Sequence, residues 1–97
     1  MGIIDKLNKN FESRVKLGIM SVLMVNDWID FTKMKSLLNI TDVNLASHSS
    51  ALDKSGYIKV KKEFVSEKPK TSYRVTSMGR AAFVSHLNNL EKLIKSK

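Results

Sequence analysis

A chain of 97 residues with 42% hydrophobic side chains has room for one small core and leaves little for a second domain. Lys and Arg number 17 against 9 Asp and Glu, a formal charge of +8, which favours polyanionic partners: DNA, RNA or an anionic membrane surface. The absence of cysteine excludes disulfides, thiolate metal sites and cysteine nucleophiles, and suits a reducing cytoplasm.

The opening segment has Ile3, Ile4, Leu7 and Phe11 at helical spacing, and residues 1–10 read as a short helix or an arm. No apolar run with a small-residue cleavage site follows Met1, so no signal peptide is expected, and Lys6 stands where a myristoylation signal needs Ser or Thr. Glu12 to Val25 predicts a helix with two apolar stripes, one of Val15, Ile19, Val22 and Leu23 and one of Leu17, Met20 and Met24. A helix apolar nearly all round needs contact on both sides, the domain core on one and a neighbouring helix or second subunit on the other. Gly18 inside it costs about 1 kcal/mol relative to Ala, which close helix packing would justify. Its most apolar stretch, Leu17 to Val25, is too short to span a bilayer, and no membrane partner is expected.

Asn26-Asp27 breaks that helix, and Trp28-Ile29 reads as a very short strand or a core plug. Asp30 is an N-cap for a helix over Phe31 to Leu38, with Phe31, Met34, Leu37 and Leu38 at core spacing. Asn39-Ile40-Thr41 forms a turn, and Thr41 or Asp42 caps a helix over Asp42 to Lys54. The inner stripe of that helix is Leu45, His48 or Ser49, and Leu52; Gly56 suits the left-handed position that ends it. A strand begins at Tyr57, Ile58 and Val60 and ends at Phe64-Val65. Ser66 to Lys70 forms a loop, and Thr71 to Val75 is the return strand. Thr76 or Ser77 caps a final helix over residues 77–95, where Phe83, Leu87, Leu90 and Ile94 recur as a heptad-like seam.

The two helices joined by a short turn form a helix-turn-helix. The second of them presents Asn44, Ser47, Ser50 and Ala51 outward, with His48 at the edge: small hydrogen-bonding groups that permit close backbone approach to base edges or phosphates. The hairpin from Lys59 to Arg74 carries six basic residues and only Glu63 and Glu67 as acids. Lys68, Lys70 and Arg74 are assigned to phosphate contact. Lys59, Lys61 and Lys62 suit either phosphate contact or protection of a strand edge. No catalytic constellation, Gly-rich phosphate loop or metal-ligand cluster is present, so neither enzyme activity nor a cofactor or metal is expected.

The order of elements resembles the winged helix-turn-helix regulators of the MarR/ArsR-like type, small stand-alone transcription factors of bacteria and archaea. LDKSGYI resembles their helix-ending pattern, and TSYRVTSMGRAAF their entry into the last helix; the resemblance covers roughly residues 11 to 94. It implies an α+β, mainly α fold: a three-helix core, a wing of two to three strands and a long C-terminal helix. It implies a recognition helix contacting DNA through Thr41, Asn44, Ser47, His48 and Ser50. The wing would act through Lys61, Lys62, Lys68, Lys70, Thr71 and Arg74. Leu17, Met20, Met24, Phe83, Leu87, Leu90 and Ile94 would form a homodimer interface. Two departures stand out: Ser49 lies where the family usually has a large apolar residue, and no Arg or Lys occupies the outward positions of the recognition helix. The resulting expectation is a cytoplasmic, dimeric repressor of transcription binding double-stranded DNA; a protein-binding or RNA-binding winged helix is the alternative. A small-molecule effector is not specified, although Met20, Met24 and Phe83 would line a site at a dimer interface.

Overall fold

Residues 2–96 are described by a computed structural model, with Met1 and Lys97 outside the described residues. Two 3-10 turns, Ile3–Lys6 and Lys9–Glu12, precede helix α1 (Arg14–Met24). Strand β1 (Ile29–Asp30) leads into α2 (Phe31–Leu38) and α3 (Asp42–Lys54). Strands β2 (Ile58–Val65) and β3 (Lys68–Val75) form a hairpin, and α4 (Ser77–Ile94) closes the chain. The antiparallel sheet has the order β1-β3-β2. The architecture is the expected one: three helices, a small sheet whose outer part is a ribbon, and a long last helix.

Each helix begins where a side-chain oxygen meets a main-chain N–H that has no partner within the helix. Ser13 accepts from the Lys16 N–H, Asp30 from Lys33, Thr41 from Asn44 and Thr76 from Gly79. Ser13 is extended, so α1 starts two residues later than the apolar spacing suggested, and Glu12 belongs to the preceding 3-10 turn. Asn39 takes the left-handed conformation (φ 51°) that ends α2 and turns the chain into α3. A 2.7 Å ion pair from Lys35 to Asp42 spans that turn.

The core lies between α1, α3 and one face of the sheet. Ile19, Met20, Leu23, Met34, Leu45 and Leu52 have no exposed area, and Ile58, Tyr73 and Val75 cover them from the sheet. Alternation along the paired strands places Ile58, Val60, Tyr73 and Val75 on this inner face. Leu38 packs closely over Gly18, the helix contact the glycine was expected to allow.

Met20 and Phe83, assigned from the sequence to a dimer interface, are instead core residues of a single chain. Met20 sits on the side of α1 that faces the core, and Phe83 packs edge-on against Phe11 with ring centroids 5.3 Å apart. That removes two of the three side chains proposed to line an effector site. The N-terminal segment causes the difference: its turns, not a second subunit, cover this part of α4.

Beyond Phe83 the buried residues of α4, His86 and Asn89, are polar, and this too follows from the N-terminal segment. His86 Nδ1 accepts the Asn8 main-chain N–H at 3.1 Å, and the Asn89 amide donates to the Lys6 carbonyl at 3.4 Å. The Asn8 side chain donates to the Tyr57 hydroxyl at 2.8 Å. With polar groups turned inward, the apolar ones point out: Val84, Leu87, Leu90 and Ile94 are all exposed.

Candidate nucleic-acid interface

Helix α3 is amphipathic in size as well as polarity. Leu45, Ser49 and Leu52 are buried, while Val43, Asn44, Ala46, Ser47 and Ser50 are exposed. Nothing on this outer face is longer than Asn until Lys54, so the helix backbone can approach another surface closely. Thr41 and Asn44 stand at its entrance, with the Thr41 hydroxyl committed to the Asn44 N–H at 3.1 Å. His48 is half-buried, its Nδ1 2.7 Å from the Asn44 carbonyl, which fixes the ring at the edge of the stripe. Ala51, read from the sequence as outward, is half-buried.

Val43, 76% exposed, was missed by the sequence reading. The signal was available: opposite the buried Leu45-Ser49-Leu52 row, helical spacing brings 43, 47, 50 and 54 onto one stripe. An exposed methyl-bearing side chain on such a face suits a thymine methyl group.

Behind α3, Ser49 fits a specific neighbour. Its hydroxyl lies 3.3 Å from the Ala46 carbonyl and 3.5 Å from the Tyr73 hydroxyl. A large apolar residue at 49 would occupy the space of the Tyr73 ring tip, so the small side chain and the buried phenol complement each other. Burial pushes the Tyr73 hydroxyl above its ordinary pKa, partly offset by the Ser49 hydroxyl.

The ribbon is longer and its turn tighter than the sequence reading held. Strand pairing continues to Val65 opposite Lys68, leaving Ser66-Glu67 as a two-residue turn in place of a loop from Ser66 to Lys70. Pro69 lies within β3, opposite Phe64. In a two-residue hairpin the closing pair exchanges hydrogen bonds and the next pair does not, so the missing proline N–H at this position breaks no ladder bond.

Strand alternation sorts the ribbon's basic residues onto two faces. Lys62 and Thr71, paired across the strands, continue the inner face and line a groove with Ser50 and Asp53 of α3. Lys61 and Arg74 lie on the opposite face, where Trp28 collects them. The Lys61 ammonium is 4.4 Å from the indole centroid and the Arg74 guanidinium 5.9 Å away. Arg74 also pairs with Asp27 at 3.0 Å. Both are therefore held at the base of the ribbon. Lys62, Lys68 and Lys70 form no ion pair among the described residues, and Lys68 and Lys70 lie next to the tip.

The arrangement is a close-approach helix beside a projecting basic ribbon. No helix of the described residues is long and apolar enough to cross a membrane. A family model described as a winged helix DNA-binding domain matches residues 15–94. An uncharacterized protein of Methanocaldococcus jannaschii is 32% identical over 88 residues, which is 91% of this chain and 96% of that relative. A transcriptional regulator homologue from Pyrococcus horikoshii OT3 superposes with a TM-score of 0.88 at 27% identity, covering 98% of this chain and 96% of that one. The YusO protein of Bacillus subtilis shares the fold alone, with a TM-score of 0.74 at 9% identity over 96% of this chain and 68% of its own.

Proposed function

This chain belongs to the winged helix DNA-binding domain family, and we propose that it is a sequence-specific regulator of transcription that acts as a homodimeric repressor. In this reading α3 enters the major groove of duplex DNA and the ribbon follows the phosphate backbone. The observation that carries it is the pairing of two surfaces: the exposed row Val43, Ser47 and Ser50, and the ribbon's unpaired lysines, Lys62 bordering α3 and Lys68 and Lys70 near the tip. Hydrogen bonds and methyl contacts from α3 would read base edges, while the lysines neutralise phosphates without reading sequence. Because α3 carries no Arg or Lys before its last residue, Lys54, the ribbon supplies most of the affinity. Homodimerisation would use the exposed stripe of α4, and would set two recognition helices on half-sites about one helical turn apart.

The test is retention of a random duplex DNA pool at two salt concentrations, followed by sequencing. A palindrome with half-sites about 10 base pairs apart is the expected enrichment. Combined Lys68→Ala and Lys70→Ala should weaken binding to every sequence and reduce the salt slope by about 2, since each phosphate contact contributes about 1. Asn44→Ala or Ser47→Ala should instead change which sites are enriched. Preference for structured RNA, or no retention at low salt, would overturn the reading.

A further inference from the structure

The outer half of the ribbon carries an aromatic side chain that lies outside the core. Phe64 is 78% exposed. Sheet strand β1 stops at Asp30 opposite Ser72, so beyond that point the ribbon has two strands only. Phe64 pairs with Pro69, one step from the Ser66-Glu67 turn. As a pair that exchanges no main-chain hydrogen bonds, the two bring their side chains close, about 4.5 Å between Cα atoms, and form one apolar knob. Strand alternation puts that knob on the same face as Lys62 and Thr71, the face that borders α3.

Resting on the DNA-binding reading above, we infer that Phe64, backed by Pro69, is a wedge that enters the minor groove and partly unstacks one base step of the duplex. Three observations favour this occupant over an apolar protein surface. The knob is small: it has Lys62 inboard on its own face, no other apolar side chain on that face of the ribbon tip, and Lys68, Lys70 and the half-exposed Val65 on the reverse face. An apolar point with one lysine inboard and two on the reverse face of the same narrow ribbon matches a groove whose rims are phosphates and whose floor is base edges. Two strands about 4.8 Å apart with their side chains are also too broad for a minor groove about 6 Å wide, so entry needs the groove opened. An apolar side chain inserted between base pairs opens it by kinking the duplex toward the major groove. The cost is least at flexible pyrimidine–purine steps, which the chain would thereby select without hydrogen bonding to them.

End-labelled duplexes carrying the enriched site, measured by energy transfer with and without protein, test the inference. Wild type should shorten the end-to-end distance, and the enriched sites should carry TA or CA/TG steps outside the α3 half-sites. Phe64→Ala should abolish the bend and weaken binding about tenfold, while Phe64→Leu, which keeps an apolar wedge, should retain most of both. Position 64 is exposed, so an unchanged circular dichroism spectrum is expected for both variants. Salt-dependent binding by wild type with no bend, or with F64A as effective as wild type, overturns the wedge and leaves the DNA-binding reading intact. No binding by wild type overturns both. If F64A changes only self-association, the knob is a contact between copies and the inference fails.

Discussion

At the scale of single residues, the junction between the ribbon and α4 is the least tolerant point in the molecule. Thr76 makes three bonds there. Its N–H donates to the Tyr57 carbonyl at 3.0 Å, its hydroxyl donates to the Gly56 carbonyl at 2.7 Å, and the same hydroxyl accepts the Gly79 N–H at 2.9 Å. These bonds press the first turn of α4 onto the segment leaving α3, and a Cβ at position 79 would overlap the Tyr57 carbonyl. Backbone cannot yield as a flexible side chain would. Gly79→Ala is therefore expected to destabilise the fold by about 2 kcal/mol or more, despite a helix-propensity gain of about 1 kcal/mol. For a domain of this size the melting temperature should fall by about 10 °C or more. Thermal unfolding followed by circular dichroism checks this; an unchanged melting point would mean that α4 docks less tightly than the geometry requires. The sequence pattern T-x-x-G is thus legible as physics: a cap that also ties two segments together, and a glycine that permits the close approach.

At the scale of elements, the sequence disclosed most of the helices and misjudged the ribbon's turn. Helical caps are local, so Asp30 could be identified from its neighbours alone, and the caps Thr41 and Thr76 placed to within one residue. The turn was obscure because Ser66 and Glu67 both have positive φ, 51° and 65°, in a hairpin position that normally calls for Asn and Gly. With no such signal, and with Pro69 suggesting a break, a longer loop was the natural reading. The candidate site was legible in part for the same reason. Polar residues on α3 announced an outer face, but the distribution of lysines between the ribbon's two faces depends on register, which that turn sets. The left-handed backbone at Glu67 has a consequence for stability. An L-residue there costs about 1 kcal/mol relative to glycine, so Glu67→Gly should raise stability by about that amount. Urea unfolding should show a higher midpoint at an unchanged slope. Glu67→Gln, which removes the charge and keeps the Cβ, should not; if it stabilises equally, relief of charge rather than of backbone is responsible.

At the scale of the whole molecule, the chain is more extended than its length alone would make it. The radius of gyration is 14.7 Å, against about 12.5 Å for a compact globule of this size, and the longest dimension is 56 Å. Two projections account for this: the bare ribbon, and the distal part of α4 that runs past the three-helix core. The second is inverted with respect to an ordinary surface helix, for His86 and Asn89 are buried against the N-terminal turns while Leu87 and Leu90 remain 44% and 42% exposed. With the polar groups turned to the N-terminal turns, that apolar stripe is left partly open. A second copy related by a two-fold axis would bury the same stripe on both chains and enlarge a core that is small for a 97-residue domain. Sedimentation of the wild type at micromolar concentration should accordingly give twice the chain mass of 11.0 kDa. Combined Leu87→Glu and Leu90→Glu should give a monomer with the same circular dichroism spectrum, since both side chains lie outside the buried core. Such a monomer would still bind a half-site through α3 and the ribbon, but would lose the enrichment of paired half-sites, because spacing is a property of the pair. A wild type that sediments at 11.0 kDa would instead assign the exposed leucines of α4 to a different partner.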